Sequence, residues 1–179
     1  MEWTCRCGAF SAEVDPSEGI RAVCYCRSCR EFAQMTEAGA SLDDQGGSDL
    51  FQVAPERIRF LKGGAENLTW TRLTEKGPVR WYTTCCNTPV ANTLATSSWP
   101  FVTLQTHRFA DPEALGRVTA RVNRSGATGR VPDDSKGTGY LIRNFIARAI
   151  RSRLSGGWKR NPFFGPDRQP VAPGGTVKS

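Results

Sequence analysis

The seven cysteines of this 179-residue chain constrain its fold more than any other feature. They fall in three short stretches, Cys5-Arg6-Cys7, Cys24-Tyr25-Cys26-Arg27-Ser28-Cys29 and the adjacent pair Cys85-Cys86. An odd number of cysteines leaves one thiol outside any disulfide framework, and the first residues lack the basic and apolar segments of a secretory signal. Clustered thiols in a reducing compartment are typical of metal ligands. We therefore expect a cytoplasmic protein whose cysteines bind Zn2+.

The seven thiols divide into a set of four and a set of three. Cys5 and Cys7 lie on the same face of a strand, because successive side chains point to opposite faces, and they supply half of a four-thiolate site. The other half is left to Cys85 and Cys86, which converge on one ion only if the peptide turns sharply. Asn87 tolerates the left-handed conformation that such a turn needs. This site would be structural, because metal binding would tie the first strand into the core.

The central stretch can hold a metal by itself. Cys26 and Cys29, separated by two residues, can turn both sulfurs onto one ion, and Cys24 adds a third. Two interpretations remain open. Cys85 or another residue completes a second structural site, or the three cysteines form an open, reactive site that leaves one position for water or substrate.

Three arginines flank the cysteine clusters: Arg27, Arg30 and Arg80. Their guanidinium groups would suit the carboxylates of an acidic thiol such as glutathione. Charge compensation is the simpler interpretation, because a zinc ion with four thiolates carries a net charge of −2. The only histidine, His107, is assigned no role.

Short alternating or β-branched stretches between tight turns predict a mainly β, antiparallel fold. The predicted strands cover residues 9–14, 20–24, 50–53, 57–61, 68–73, 79–83 and 101–106. The turn-forming residues 15–19 predict that the first two strands form a hairpin. Helix-forming residues predict a helix over residues 30–38.

The chain changes character after residue 122. We expect a zinc-binding β domain over 1–122, a linker over 123–139, a basic amphipathic helix over 140–156, and a Pro/Gly-rich tail over 157–179 that runs extended on the surface or stays disordered. The simplest explanation of the helix's apolar stripe is docking on the β domain. The formal charge of +7 also allows nucleic acid or an anionic membrane as a partner of this helix, which we do not favour.

Three motifs resemble those of a known family. Cys5-Arg6-Cys7-Gly8, Cys24-Tyr25-Cys26-Arg27-Ser28-Cys29-Arg30 and Cys86-Asn87-Thr88-Pro89 resemble, in this order, the glutathione-dependent formaldehyde-activating enzymes and centromere protein V-like proteins. The resemblance covers residues 3–107, and further segments such as DLFQV at 49–53 resemble an uncharacterised branch of that family. It implies a zinc-containing β-tent fold. Its implied ligands are Cys5, Cys7 and Cys86 for a structural zinc and Cys24, Cys26 and Cys29 for a catalytic zinc.

The same resemblance implies a carbon–sulfur lyase that acts on S-hydroxymethylglutathione, the adduct of formaldehyde and glutathione. The sequence departs from the family pattern where Thr83 and Asn87 replace a cysteine and a glycine, so Cys85 would have to substitute. Two other functions stay open. In the first, the protein is a non-enzymatic zinc module that binds nucleic acid, membrane or protein through its basic helix. In the second, the three central cysteines form a redox switch that releases zinc on oxidation.

Overall fold

The structure is a computed structural model that describes residues 1–36 and 41–176. These residues are mainly β with two helices, which confirms that the fold is mainly β. The strands are β1 (Glu2–Thr4), β2 (Ser11–Val14), β3 (Ile20–Cys24), β4 (Ser48–Val53), β5 (Ile58–Lys62), β6 (Leu68–Arg72), β7 (Val79–Thr83), β8 (Pro89–Thr93), β9 (Val102–Gln105), β10 (Ala120–Val122) and β11 (Gly174–Thr176). The helices are α1 (Arg27–Met35) and α2 (Thr138–Leu154).

Two sheets contain the strands of the described residues. The smaller has the order β1-β2-β5, and the larger has the order β10-β3-β4-β9-β8-β7-β6-β11. Neighbouring strands are antiparallel except at the two edges of the larger sheet, where β10 runs parallel to β3 and β11 runs parallel to β6. The cysteines lie at or beyond the ends of β1, β3 and β7, so the sheets bring together residues that are far apart in sequence.

The predicted hairpin of the first two strands is wrong. β2 pairs with β1 and β5 in the smaller sheet, whereas β3 pairs with β4 and β10 in the larger one. The connection between them is long enough to carry the chain from one sheet to the other, with Glu18 in the left-handed conformation. Gly19 packs under the Phe51 ring, where any Cβ would overlap the ring.

Aromatic residues from both sheets and from the C-terminal segment form one core. Trp3, Phe10, Trp81 and Phe163 are fully buried. The ring centroid of Phe163 lies 5.1 Å from that of Trp81 and 5.4 Å from that of Phe60. The tail therefore enters the core instead of staying on the surface as expected, because its prolines and glycines prevent regular structure but not the burial of aromatic side chains.

The end of the tail extends the larger sheet. Residues Gly174–Thr176 form β11 beside β6, although a Gly/Pro-rich segment was expected to hold no regular structure. Gly174 lies so close to the backbone and ring of Trp70 that a Cβ would overlap them. A glycine-containing strand fits this edge because parallel pairing needs only backbone groups. The last three residues of the predicted tail, 177–179, lie outside the described residues.

Helix α2 turns only part of its predicted apolar stripe towards the β domain. Its buried residues are Arg148, Ala149 and Ser152, whereas the large apolar side chains exposed along it are Ile142, Ile146, Ile150 and Leu154. The expectation that the whole apolar stripe docks on the β domain is therefore met only in part: Ala149 is buried and Phe145 packs on Phe101, whereas the polar partners of the buried Arg148 hold the other side of the stripe outward. Among the described residues, no helix is both long and apolar enough to cross a membrane.

Candidate metal centres

The seven cysteine sulfurs lie in two groups, and within each group the sulfurs are less than 4.8 Å apart. The four-cysteine cluster brings Cys5 and Cys7, near the start of the chain, together with Cys85 and Cys86. Its Sγ–Sγ distances are 3.7 Å for Cys5–Cys7, 3.4 Å for Cys7–Cys85, 3.9 Å for Cys5–Cys85 and 3.7 Å for Cys85–Cys86. A tetrahedral ion with metal–sulfur bonds of about 2.3 Å places its ligands about 3.8 Å apart. The four sulfurs therefore have the spacing of a four-thiolate metal site.

A tight turn after β7 lets two adjacent cysteines share this site. Asn87 has a φ of 52°, and its N–H donates to the carbonyl oxygen of Thr83 at 3.0 Å. The N–H of Thr88 donates to the Thr83 hydroxyl at 3.1 Å. The sharp turn that the sequence required is present, and Cys85 joins the cluster together with Cys86.

Hydrogen-bond donors stabilise thiolates in the four-cysteine cluster. The N–H of Phe10 donates to Cys5 Sγ at 3.3 Å, and the hydroxyls of Thr83 and Thr88 lie 3.4 and 3.1 Å from Cys86 Sγ. Burial opposes ionisation of Cys86, but the hydroxyl contacts outweigh it and lower its pKa to about 5. Burial and the neighbouring thiols raise the pKa of Cys85 to about 12. A bound cation would favour the ionisation of all four, because metal ligands must be deprotonated.

The three-cysteine cluster forms where β3 passes into α1. Cys24 is the last residue of β3, Cys26 is the N-cap of α1, and Cys29 lies in the first turn of the helix. The N–H of Cys29 donates to Cys26 Sγ at 3.3 Å, so a ligand sulfur itself caps the helix. The helix therefore begins at Arg27, before its predicted start at residue 30. Its predicted last residues, 37–38, lie outside the described residues.

Without a metal, these three sulfurs favour a single thiolate. Hydrogen bonds from Cys24 and Cys29 lower the pKa of Cys26 to about 2. The hydrogen bond with Cys26 raises the pKa of Cys24, and the contacts with Cys24 and Cys26, together with burial, raise that of Cys29. Like charges this close suppress one another's ionisation, so a cation is needed to ionise all three sulfurs. The helix N-terminus, with its unpaired N–H groups, also favours negative charge here.

Asn123 gives the three-cysteine cluster a further donor. Its Nδ2 donates to Cys24 Sγ at 3.2 Å, and its own backbone is left-handed, with a φ of 55°. Such donors orient thiolate ligands and adjust their basicity. Sequence reasoning missed this residue, because it lies 94 positions after Cys29 in a stretch whose composition indicates only a linker.

Of the three flanking arginines, Arg80 is the one that approaches a cluster sulfur among the described contacts. Its two terminal nitrogens each lie 3.9 Å from Cys29 Sγ. Arg27 is exposed and pairs with Glu31, and Arg30 donates to a backbone carbonyl. Arg80 is therefore the arginine placed to compensate the charge of this cluster at short range.

Arg80 is buried and held from several sides. One terminal nitrogen donates to Asn92 Oδ1 at 2.9 Å, and the other donates to Ser28 Oγ at 2.7 Å. The guanidinium carbon lies 5.2 Å from the centroid of the Phe32 ring. Only 2% of the residue is exposed. The cation is thus fixed beside Cys29 and does not sample the solvent.

A cavity of about 430 Å³ adjoins the three-cysteine cluster. Its walls are mostly apolar and include Leu50, Leu94, Phe101 and Leu141. Its polar lining includes Gln52, Lys76, Arg80 and Asn92, and its described lining holds no carboxylate or imidazole. The four-cysteine cluster borders a smaller cavity of about 250 Å³ formed by Arg6 and the turn residues 84–87. The two clusters thus differ in surroundings as well as in the number of sulfurs.

His107 belongs to neither cluster. It lies in the helical turn that follows β9. Burial, assisted by the neighbouring charge of Arg108, lowers its pKa to about 4. The imidazole is therefore neutral at physiological pH.

The fold and the two clusters define a mainly β protein with two candidate metal sites. The chain belongs to a family of unknown function, DUF6151, whose model matches residues 1–171. A comparison with curated proteins finds no match. Among solved structures, a Rhodobacter sphaeroides protein determined as a structural genomics target is similar, with 22% identity over 66% of this chain and 97% of that chain and a TM-score of 0.44.

These comparisons correct the family assignment made from the sequence. The resemblance to glutathione-dependent formaldehyde-activating enzymes is wrong, because the family whose model matches the chain is one of unknown function. Cysteine pairs separated by one or two residues recur wherever thiolates bind a metal, so they identify ligand chemistry rather than a reaction. The β-tent arrangement implied by the resemblance stays a prediction.

Proposed function

We propose that this protein binds two zinc ions, one in the closed four-cysteine cluster and one in the open three-cysteine cluster, and that the open site binds and activates a small thiol. The observation that carries the proposal is the position of three sulfurs at the wall of an apolar cavity. Its seven cysteines are free thiols, so the protein would work in a reducing compartment such as the cytoplasm.

Zinc is the metal that best fits the ligand chemistry. Four thiolates in a tetrahedral arrangement are typical of structural zinc, and three protein ligands with one open position are typical of catalytic zinc. Bound in the open site, zinc would lower the pKa of a coordinating thiol. The residues around the site would then hold and orient that thiol.

The surroundings of the open site favour a thiol over water as the reacting group. Reactions of a metal-bound water are commonly assisted by a neighbouring group that accepts a proton. The described cavity lining holds neither a carboxylate nor an imidazole for this purpose, and its one lysine, Lys76, is exposed. A soft, thiolate-rich site prefers a soft sulfur ligand. The apolar walls also suit a small molecule with an apolar body.

Arg80 would reduce the electrostatic repulsion between the metal site and an incoming anionic thiolate. Zinc with three thiolates has a net charge of −1, which repels a further anion. The Arg80 guanidinium, 3.9 Å from Cys29 Sγ, neutralises this charge in a buried position where solvent screens little. Asn92 and Ser28 fix the guanidinium, so little reorganisation is needed when the thiolate enters.

The reaction class that we propose is the formation or cleavage of a carbon–sulfur bond at the activated thiol. In the addition direction, the thiol releases its proton to solvent on binding, the thiolate sulfur forms a bond to the carbonyl carbon of an aldehyde, the π electrons move to the carbonyl oxygen, and that oxygen takes up a proton from solvent in place of the one released. The reverse direction returns the thiolate and the aldehyde. The rate gain would come from holding the two reactants together in the apolar cavity.

Cobalt substitution tests thiol binding directly. Cobalt(II) in a site with three thiolates should change its visible absorption when a small apolar thiol such as benzyl mercaptan fills the fourth position. The wild-type chain should hold two metal ions, and Cys24→Ser/Cys26→Ser should hold one and lose the response to thiol. Cys5→Ser/Cys7→Ser is the matched control, because it removes the other cluster and should keep the response.

The reaction is tested separately, by the rate at which the zinc protein interconverts the thiol, an aldehyde and their adduct. We expect acceleration that is lost in Cys24→Ser/Cys26→Ser. A cobalt spectrum that does not change at millimolar thiol would contradict thiol binding. A spectral response without acceleration would reject the reaction class and leave a thiol-binding protein.

A further inference from the structure

Helix α2 leaves four large apolar side chains exposed although it packs against the protein along another side. The exposed fractions are 52% for Ile142, 44% for Ile146, 54% for Ile150 and 85% for Leu154. These four residues recur at intervals of four, so they form a stripe along one side of the helix that is about 18 Å long. A contiguous apolar patch on a protein surface marks an interaction site more often than chance exposure does.

Polar anchors fix this orientation of the helix. Arg148 donates to the backbone carbonyl of Glu18 at 3.1 Å and to Gln52 Oε1, and it is 6% exposed. Arg151 pairs with the Glu18 carboxylate on the same side. Turning the apolar stripe inward would break these bonds and leave a buried polar region without partners, which is costly. The outward stripe is therefore part of the fold.

An exposed tryptophan extends the apolar stripe. Trp99 is 51% exposed, and its ring centroid lies 6.2 Å from that of Phe145 on α2. Phe101 supports the same ring of Phe145 from 5.3 Å. Tryptophan is the residue most typical of the boundary between lipid headgroups and acyl chains.

The charge around the stripe selects the partner. Helix α2 carries four arginines and no acidic residue. The exposed Arg143 stacks on Tyr140, and Arg153 stacks on Trp158 and donates to a backbone carbonyl. Neither has a carboxylate partner among the described ion pairs. A second copy of this helix would bring like charges together, whereas an anionic surface would neutralise them.

We propose that α2 docks along its length on an anionic phospholipid surface, with Ile142, Ile146, Ile150, Leu154 and Trp99 at the level of the upper acyl chains. Exposed apolar side chains together with exposed arginines on one helix are typical of helices that lie in the membrane interface. The exposed arginines would contact lipid phosphates, each adding to the attraction near the surface. This proposal is independent of the thiol chemistry proposed above.

Vesicle flotation of the full, zinc-loaded chain tests the proposal. The wild type should bind vesicles of phosphatidylcholine and phosphatidylglycerol, bind pure phosphatidylcholine much more weakly, and dissociate as salt is raised. Ile146→Glu/Ile150→Glu should lower the partition coefficient on the order of a hundredfold, because it removes apolar area and adds two negative charges. Leu61→Glu is the matched control, since Leu61 is 46% exposed on β5, and it should bind like the wild type.

Three results would overturn the proposal. The first is wild-type protein that fails to bind anionic vesicles, and the second is equal binding by Ile146→Glu/Ile150→Glu. The third is a wild-type dimer in sedimentation velocity that the same variant abolishes while vesicles are not bound, which would make a second copy the partner of this face. Circular dichroism and zinc content should match the wild type in each variant, because the substituted side chains are exposed.

Discussion

The two metal sites should contribute unequally to stability, because they close loops of very different length. Cys7 and Cys85 are 78 residues apart, whereas Cys24 and Cys29 are five residues apart. The chain-entropy expression for a crosslink gives about 4.5 kcal/mol at 25 °C for the long loop and about 2 kcal/mol for the short one. Zinc in the four-cysteine cluster should therefore stabilise the fold by about 2.5 kcal/mol more than zinc in the three-cysteine cluster.

Two variants isolate the sites. Cys24→Ser/Cys26→Ser keeps the four-cysteine cluster, and Cys5→Ser/Cys7→Ser keeps the three-cysteine cluster. The free energy of unfolding is measured for each by urea titration, with a fixed concentration of free zinc and again with a chelator, under reducing conditions. The fluorescence of the fully buried Trp3 and Trp81 reports the loss of the core.

The difference between zinc and chelator within one variant cancels the cost of the serine substitutions themselves. Cys24→Ser/Cys26→Ser should show the larger zinc-dependent stabilisation. The reasoning is refuted if Cys5→Ser/Cys7→Ser gains as much from zinc as the other variant, since loop length would then not govern the contribution of either site.

Three further predictions concern single residues. Arg80→Gln removes the cation beside Cys29 and should raise the thiol concentration that half-saturates the cobalt protein about tenfold. Arg27→Gln, at an exposed arginine, should leave that concentration unchanged. Equal effects of the two substitutions would rule out a local role of Arg80. Asn123→Ala removes the donor to Cys24 and should weaken zinc binding at the open site about tenfold in competition with a chromophoric chelator; unchanged affinity would exclude that role. Burial holds the pKa of His107 at about 4, below its ordinary value of 6.5, so the stability it contributes is present above pH 6.5 and is lost as the pH falls towards 4. In His107→Gln, the urea midpoint should therefore change less between pH 6.5 and pH 4 than it does in the wild type. An equal pH dependence in the two proteins would disprove this contribution of His107.

Local patterning predicted those strands whose residues alternate or are β-branched. Residues 20–24 and 79–83 match β3 and β7 without a shift. β8 was missed because all five of its residues are buried, so it shows no alternation, and it contains Asn92. Asn92 is tolerated there only because Arg80 and Thr103 satisfy its amide, which is a property of the assembled sheet.

Cysteine spacing predicted the division into clusters of four and three because the geometry of a metal site limits the arrangement of its ligands. It could not select Arg80 from three candidate arginines, since that depends on which face of β7 meets α1. Asn123 carries no local signal at all. The period of α2 predicted a helix, but its orientation depends on Arg148 finding partners in Glu18 and Gln52, which are far away in sequence.

The burial of Phe163 affects how this chain folds as it is synthesised. The last ligand of the four-cysteine cluster, Cys86, is translated 77 residues before Phe163, which is an interval of about 4 to 15 s at ordinary elongation rates. The core cannot close during that interval, because the ring that contacts both Trp81 and Phe60 has not yet been made. A nascent chain could already hold its metal during this interval. Zinc would then keep β1 and β7 together until the C-terminal segment has been synthesised.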